Sequence, residues 1–275
     1  MTTRSVEVPG CRLHVVDEGA GPPIVLLHAG VADLRAWDAL VPSLTAAGYR
    51  VVRFDARGYG RSTTDDVAFS SVADLVAVLD ALGIGRAPLV GNSRGGMTAF
   101  DSAITASDRV VGVVGVGAGL GGFEGATTPD EMAIFETYES LGTADPYDAD
   151  ALPAFEADVW LEGPGQPRGR VPAAVRTAFL AMARPLNERG RIEGRPIEID
   201  PPADRRLADL RCPVLAIAGA LDFDEVAEAA EHLATAAPAA AALVWPDVAH
   251  MIGMEAPDRL AAAIVDFLAP LERWS

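Results

Sequence analysis

The run Pro88 Leu89 Val90 Gly91 Asn92 Ser93 Arg94 Gly95 Gly96 Met97 sets a serine in the spacing G-x-S-x-G, after an apolar strand end and before a helix start. A turn that tight tolerates only small flanking residues and lifts the serine hydroxyl above a sheet, which is what a nucleophile elbow requires. A serine hydroxyl is a poor nucleophile alone. It needs a base within hydrogen-bond reach and an acid that orients the base. The chain has four histidines, His14, His28, His232 and His250. In triads carried on such a sheet the acid and the histidine follow the serine in the chain. That leaves His232, within an amphipathic helical run, and His250, in the loop Asp247 Val248 Ala249 His250 Met251. A histidine in an amphipathic helix is ordinarily a polar surface residue, so His250 is the expected base. The acid belongs in the loop after the preceding strand, where Asp222 follows Gly219. Asp224 is the second candidate. Glu225 is better read as the first turn of the next helix, where a carboxylate suits the helix dipole.

Composition narrows the chemistry. All 22 basic residues are arginine, so a Schiff base or a Ser-Lys mechanism is excluded. The formal net charge of −17 repels nucleic acid and anionic lipid, and neither is an expected partner. A small-molecule substrate is expected instead, with no metal and no cofactor. Cys11 and Cys212 lack metal-ligand spacing and form no disulfide framework, so both read as small buried hydrophobes. The first nine residues carry no apolar signal core, and no run of 18 apolar residues occurs, so a cytoplasmic protein is expected.

The elements that must position these residues alternate between strand and helix, the pattern of an α/β fold with a mainly parallel sheet. Residues 4–8 and 11–17 read as a hairpin turning at Pro9-Gly10, and Pro23–His28 as a buried strand. Asp33 caps an expected helix running to Ala47, with Gly48 stopping it. A strand (49–54), a helix (71–82), the strand into the elbow, the elbow helix to about 106 and a strand (110–116) follow. The rhythm then breaks. From 117 to about 207 the chain holds Pro, Gly, acids and two helical stretches (130–141, 172–183) but no strong strand. That is too long for a plain loop and reads as an inserted helical cap. The rhythm returns with strands 212–218 and 240–245 and helices 225–236 and 257–271. The expected division is a core of 1–119 and 207–275 with a cap of 120–206.

These features together resemble the α/β-hydrolase superfamily. The resemblance rests on Leu26 Leu27 His28 Ala29 Gly30, on Trp37, on the loop Asp55 Ala56 Arg57 Gly58 Tyr59 Gly60 Arg61 Ser62, on the Ser93 elbow, and on Asp222 and His250, in order along the chain. It implies a serine hydrolase with a helical cap. Two backbone N–H groups are implied as an oxyanion hole, one from Arg94 and one from the His28–Val31 turn. Gly30 is the choice for the second, with Ala29 and Val31 as alternatives, since relatives often carry Gly where this chain has Ala29. His28 is then a structural residue. The Arg94 side chain borders the implied pocket. It either holds a substrate carboxylate or, as expected here, pairs with a framework acid such as Asp55. Asp55 and Arg57 are expected to organise their own loop. Trp160, Phe155 and Phe179 of the cap are candidates for lining an apolar acyl pocket, Trp160 foremost, against packing of cap on core as the expected role of each. The implied activity is hydrolysis of a small carboxylic ester or lactone through an acyl-enzyme on Ser93. Carbon–carbon bond hydrolysis of a β-diketone-type acid and a non-catalytic binding protein are the alternatives. Serine rather than aspartate at the elbow disfavours dehalogenase or epoxide-hydrolase chemistry.

Overall fold

A computed structural model describes residues 1–188 and 191–271. Two residues of the expected cap and the last four of the expected core segment lie outside them. An opening hairpin, β1 (Thr2–Val8) and β2 (Cys11–Gly19), turns through Gly10 at φ 68°, where a side chain would be strained. β3 (Pro23–Leu27) is wholly buried. The expected helix from Asp33 to Ala47 is instead two pieces. Asp33 caps a 3₁₀ turn, Leu34–Trp37, and α1 (Val41–Ala46) starts afresh. Pro42, at the start of α1, has no N–H with which to continue a helix from upstream.

Then come β4 (Arg50–Phe54), the short β5 (Ala68–Phe69), α2 (Ser71–Ala81), β6 (Ala87–Asn92), α3 (Arg94–Thr105) and β7 (Val110–Val116). The segment between β7 and the next core strand holds α4 (Pro129–Thr143), α5 (Ala151–Glu156), a π-helical turn (Ala157–Glu162), α6 (Ala173–Leu186) and β8 (Arg195–Pro196). β9 (Val214–Gly219), α7 (Asp224–Ala236), β10 (Ala240–Trp245), α8 (Ile252–Glu255) and α9 (Pro257–Leu268) complete the chain.

Eight strands form one sheet in the order β1-β2-β4-β3-β6-β7-β9-β10. β2 pairs antiparallel with β1 and β4, and the rest is parallel. Strand residues alternate between two apolar layers. Val25, Leu27 and Leu89 face α2, α3 and α7, and Ile24, Leu26 and Val90 face α1 and α9. From β3 the chain moves outward to β4, then returns to β6 on the other side. The crevice between the carboxyl ends of β3 and β6 is therefore the topological switch point, where ligands bind in open α/β sheets. A third apolar cluster joins Leu161, Phe179, Met182 and Ala183 of the inserted segment to Ala29, Ala32 and Met251 at those strand ends. No helix of the described residues is long and apolar enough to cross a membrane. Cys11 is buried as expected, whereas Cys212, in the loop before β9, is only partly covered. Both are free thiols, pushed up to about 11 by burial.

Candidate active site

β6 runs in the middle of the sheet with all six residues buried and delivers Ser93 at its carboxyl end. Ser93 has φ 53° and ψ −121° and alone among the described non-glycine residues has positive φ. Holding an L-residue there costs on the order of 1–3 kcal/mol and persists only where the surroundings over-determine it. They do so here. The Ser93 amide donates to the Val116 carbonyl at 2.9 Å, and its carbonyl receives the first turn of α3 from Met97 at 3.0 Å. The flanking glycines are forced by packing. A Cβ at Gly91 would stand 2.2 Å from the Gly95 carbonyl oxygen, and one at Gly95 would stand 2.2 Å from that of Leu27. The G-x-S-x-G spacing is thus the imprint of backbone packed on backbone around a half-buried serine.

His250 is buried, and its Nδ1 lies 2.7 Å from Asp222 Oδ2. The other carboxylate oxygen accepts from the Phe223 amide at 2.9 Å. With Nδ1–H donating to the carboxylate, the lone pair sits on Nε2, the form a general base needs. Asn92, the residue before the serine, donates from Nδ2 to the Val116 carbonyl at 2.8 Å and to the His250 carbonyl at 3.1 Å. It ties the elbow, the end of β7 and the histidine loop to one another. Sequence reasoning passed over Asn92. The signal was there, a polar residue ending an otherwise apolar strand. Gly117 closes the same junction, since a Cβ there would stand 2.8 Å from the His250 carbonyl oxygen.

The other candidates fall elsewhere. Asp224 starts α7, with its amide donating to Glu131 Oε1 at 3.0 Å. His232 pairs with Asp204 at 2.7 Å and stacks on Phe123. His28 accepts from the Ala56 amide through Nε2 at 2.9 Å, its Nδ1 meets the Ala29 carbonyl at 2.8 Å, and burial pushes its pKa down. It is a neutral brace holding the turn after β3. Gly30 in that turn lies against Arg94, whose Cδ would be 3.7 Å from a Cβ at that position. The Gly30 amide has no acceptor among the described residues. Arg94 is the first residue of α3, where helix amides are left free.

Two expectations are corrected. Arg94 does not pair with Asp55. Asp55 accepts from the amide of Leu34, in the 3₁₀ turn after β3, and from that of Arg61, in its own loop, at 2.9 and 2.8 Å, so both carboxylate oxygens are already engaged. Arg57 reaches out of that loop. It grips Asp74 of α2 through two bonds of 2.6 and 2.8 Å and donates to the Pro9 carbonyl at 2.7 Å.

The inserted segment meets the site at Trp160, whose ring centroid is 4.7 Å from that of His250 and 5.1 Å from that of Phe223. Its indole Nε1 is buried without a partner. Phe179 is fully buried within the third apolar cluster, and Phe155 packs partly buried against the core. Arg170 reaches from the inserted segment to Glu255, which accepts the amide of Ala249, the residue before the histidine, at 3.0 Å. Burial pushes the Glu255 carboxyl up.

A strained serine at a strand–helix elbow at the switch point, with a buried histidine–aspartate pair tied to the elbow through Asn92, is the arrangement of a hydrolase-type α/β protein. Residues 24–263 match the model of the alpha/beta hydrolase family, and the chain belongs to that family. Over 120 residues it is 42% identical to a 2-hydroxy-6-oxononadienedioate/2-hydroxy-6-oxononatrienedioate hydrolase of Burkholderia vietnamiensis, a match covering 40% of this chain and 41% of that protein. Over 128 residues it is 38% identical to epoxide hydrolase B of Mycobacterium tuberculosis, covering 43% of this chain and 36% of that one. The chain thus aligns with well under half the length of these relatives. Across nearly the whole fold it superposes on an esterase from Rhodococcus sp. ECU1013, with a TM-score of 0.77, 26% identity, and coverage of 99% and 100% of the two chains.

Proposed function

We propose that the protein is a serine hydrolase cleaving a small carboxylic ester or lactone through an acyl-enzyme. The observation carrying this reading is the buried His250–Asp222 pair, linked through Asn92 to the elbow that carries Ser93. Ser93 attacks the acyl carbon as His250 Nε2 takes its proton. Asp222 fixes the imidazole tautomer and stabilises the imidazolium that forms. The amides of Arg94 and Gly30 receive the developing oxyanion. The imidazolium returns its proton to the leaving oxygen, and water, activated by the same histidine, releases the acid. In this reading residues 120–206 form a cap over Ser93, with Trp160 against the substrate.

Esterase activity in the Rhodococcus neighbour supports this choice. Epoxide hydrolysis is disfavoured despite the relative of that name, because a serine stands where that chemistry uses an aspartate. The dioate hydrolase among the relatives favours one second reading, carbon–carbon cleavage of a β-diketone-type acid by the same triad. A panel of p-nitrophenyl esters and simple lactones, assayed with wild type and Ser93→Ala, tests the proposal. Loss of a triad nucleophile costs about 10⁶ in kcat. Ester turnover by Ser93→Ala near the wild-type rate would refute it, and turnover of a vinylogous diketone acid alone would select the second reading. A fluorophosphonate probe that fails to label wild type would indicate a binding protein.

A further inference from the structure

Resting on that reading, we propose that Arg94 binds a free carboxylate of the substrate, so that the preferred ester or lactone is the derivative of an acid with a second, anionic end. Every other buried or half-buried arginine among the described residues is ion-paired. Arg94 is also half-buried and has no carboxylate partner among the described residues. In a chain with 39 acidic residues against 22 arginines, an arginine shielded from solvent has many acids to choose from. Leaving it without one costs desolvation that no counter-charge among the described residues offsets.

The guanidinium is also held in place. Nη1 donates to the Tyr59 hydroxyl at 2.7 Å, and the group lies 4.9 Å from the centroid of the Tyr59 ring. Arg191 lies 5.0 Å from the same ring centroid. Its charge is met by Glu193 at 2.7 Å, and its N–H groups are taken by the Gly58 and Leu186 carbonyls. Nε and Nη2 of Arg94 have no acceptor among the described residues. They form the edge that receives a carboxylate bidentately. The buried acid Glu156 is engaged by the Tyr138 hydroxyl at 2.8 Å and the Asn187 side-chain amide at 2.6 Å, and the arginine whose charge reaches it is Arg191.

The position fixes the role. The Arg94 side chain runs past Gly30, and its own amide follows Ser93. A carboxylate on this edge is therefore within one small molecule of the reacting carbonyl. The arginine orients the substrate and selects it. In a protein of net charge −17, which repels anions at long range, such a site discriminates by contact rather than by steering.

The test compares mono-p-nitrophenyl adipate with p-nitrophenyl hexanoate, esters of matched chain length with and without a terminal carboxylate. The readout is the ratio of their kcat/KM values in wild type, Arg94→Met, Arg94→Gln and Arg94→Lys, each checked by its melting curve. The adipate-to-hexanoate ratio is expected to fall at least 30-fold in Arg94→Met and Arg94→Gln, chiefly through KM, and to be partly rescued in Arg94→Lys. A change under about 3-fold in the folded variants overturns the proposal. Calorimetric titration of Ser93→Ala with adipate monoamide separates this proposal from the reading beneath it. Binding that disappears in Ser93→Ala/Arg94→Met, with neither ester turned over, would refute the hydrolase and keep the carboxylate site. Arg94-independent binding or no binding, beside Ser93-dependent ester turnover that ignores Arg94, would do the reverse.

Discussion

Asp222 has both oxygens engaged, one by the His250 ring and one by the Phe223 amide, so neither the carboxylate nor the imidazole it faces is free to turn. Asp222→Asn would keep this packing but offer an amide N–H to Nδ1, favouring the wrong histidine tautomer. Ester turnover should drop about 10⁴-fold with the fold intact. His250→Gln should remove most turnover and, in the residual activity, the fall in kcat/KM on the acid side, because imidazolium formation produces that limb. His232→Gln, which disturbs the Asp204 pair and the Phe123 stack, should leave the pH–rate profile in place. If His232→Gln and not His250→Gln removed the acid limb, the base would have to be reassigned. The strained elbow at Ser93 and the pairing of His250 with Asp222 were legible because each answers to a local rule, namely an elbow spacing, chain order and a loop after a strand. Asn92 and the true partners of Arg94 and Arg57 were not. Those are settled by which side chains the fold brings together from positions 17 to 158 residues apart.

At the scale of elements, the latch between Arg170 and the short helix α8 couples the inserted segment to the base. Glu255 is almost wholly covered, accepts the Ala249 amide, and carries the Arg170 guanidinium, which also donates to the Leu161 and Glu162 carbonyls. Arg170→Met would leave a buried carboxylate unpaired, costing about 3 kcal/mol of stability. The sign of its pH dependence follows from Glu255. Burial already holds this carboxyl above its unfolded value, and loss of the guanidinium raises it further. Such a group favours folding below its unfolded pKa, and that advantage is lost as pH rises through the folded one. The melting temperature of Arg170→Met relative to wild type should therefore be lower at pH 8 than at pH 5, and Arg170→Met/Glu255→Gln should recover part of the loss. An equal deficit at both pH values would mean that the latch works by packing alone. Periodicity located most elements to within a residue or two, since buried parallel strands are continuous apolar runs. It missed the break before α1, because one proline outweighed a good cap at Asp33.

At the scale of the molecule, the break in alternation after β7 opens the inserted segment at the carboxyl end of that strand, and the Asp204 amide donates to the Gly121 carbonyl at 3.0 Å, so the segment returns beside its start. The existence of the segment was legible as lost rhythm. Its docking was not, because helices that pack on loops rather than on a sheet leave only irregular apolar spacing. The proposed cap is unevenly anchored. Leu161, Phe179 and Ala183 are fully buried against the turn after β3 and the histidine loop. In α4, by contrast, Glu131 is the only buried residue, and Met132 and Phe135 are 51% and 47% exposed. Amide exchange should follow that gradient, fastest in α4, slower in α6 near Phe179, and slowest in β6 and β7, because local opening is easiest where few apolar contacts must break. Trp160 stands between the anchored part and the histidine. Trp160→Ala removes the ring that covers His250 and Phe223, so KM and acyl-chain preference across the p-nitrophenyl series should shift more than the melting temperature. If α4 exchanged as slowly as β6 and ester preference in Trp160→Ala were unchanged, the segment would be ordinary core rather than a lid that shapes the substrate site.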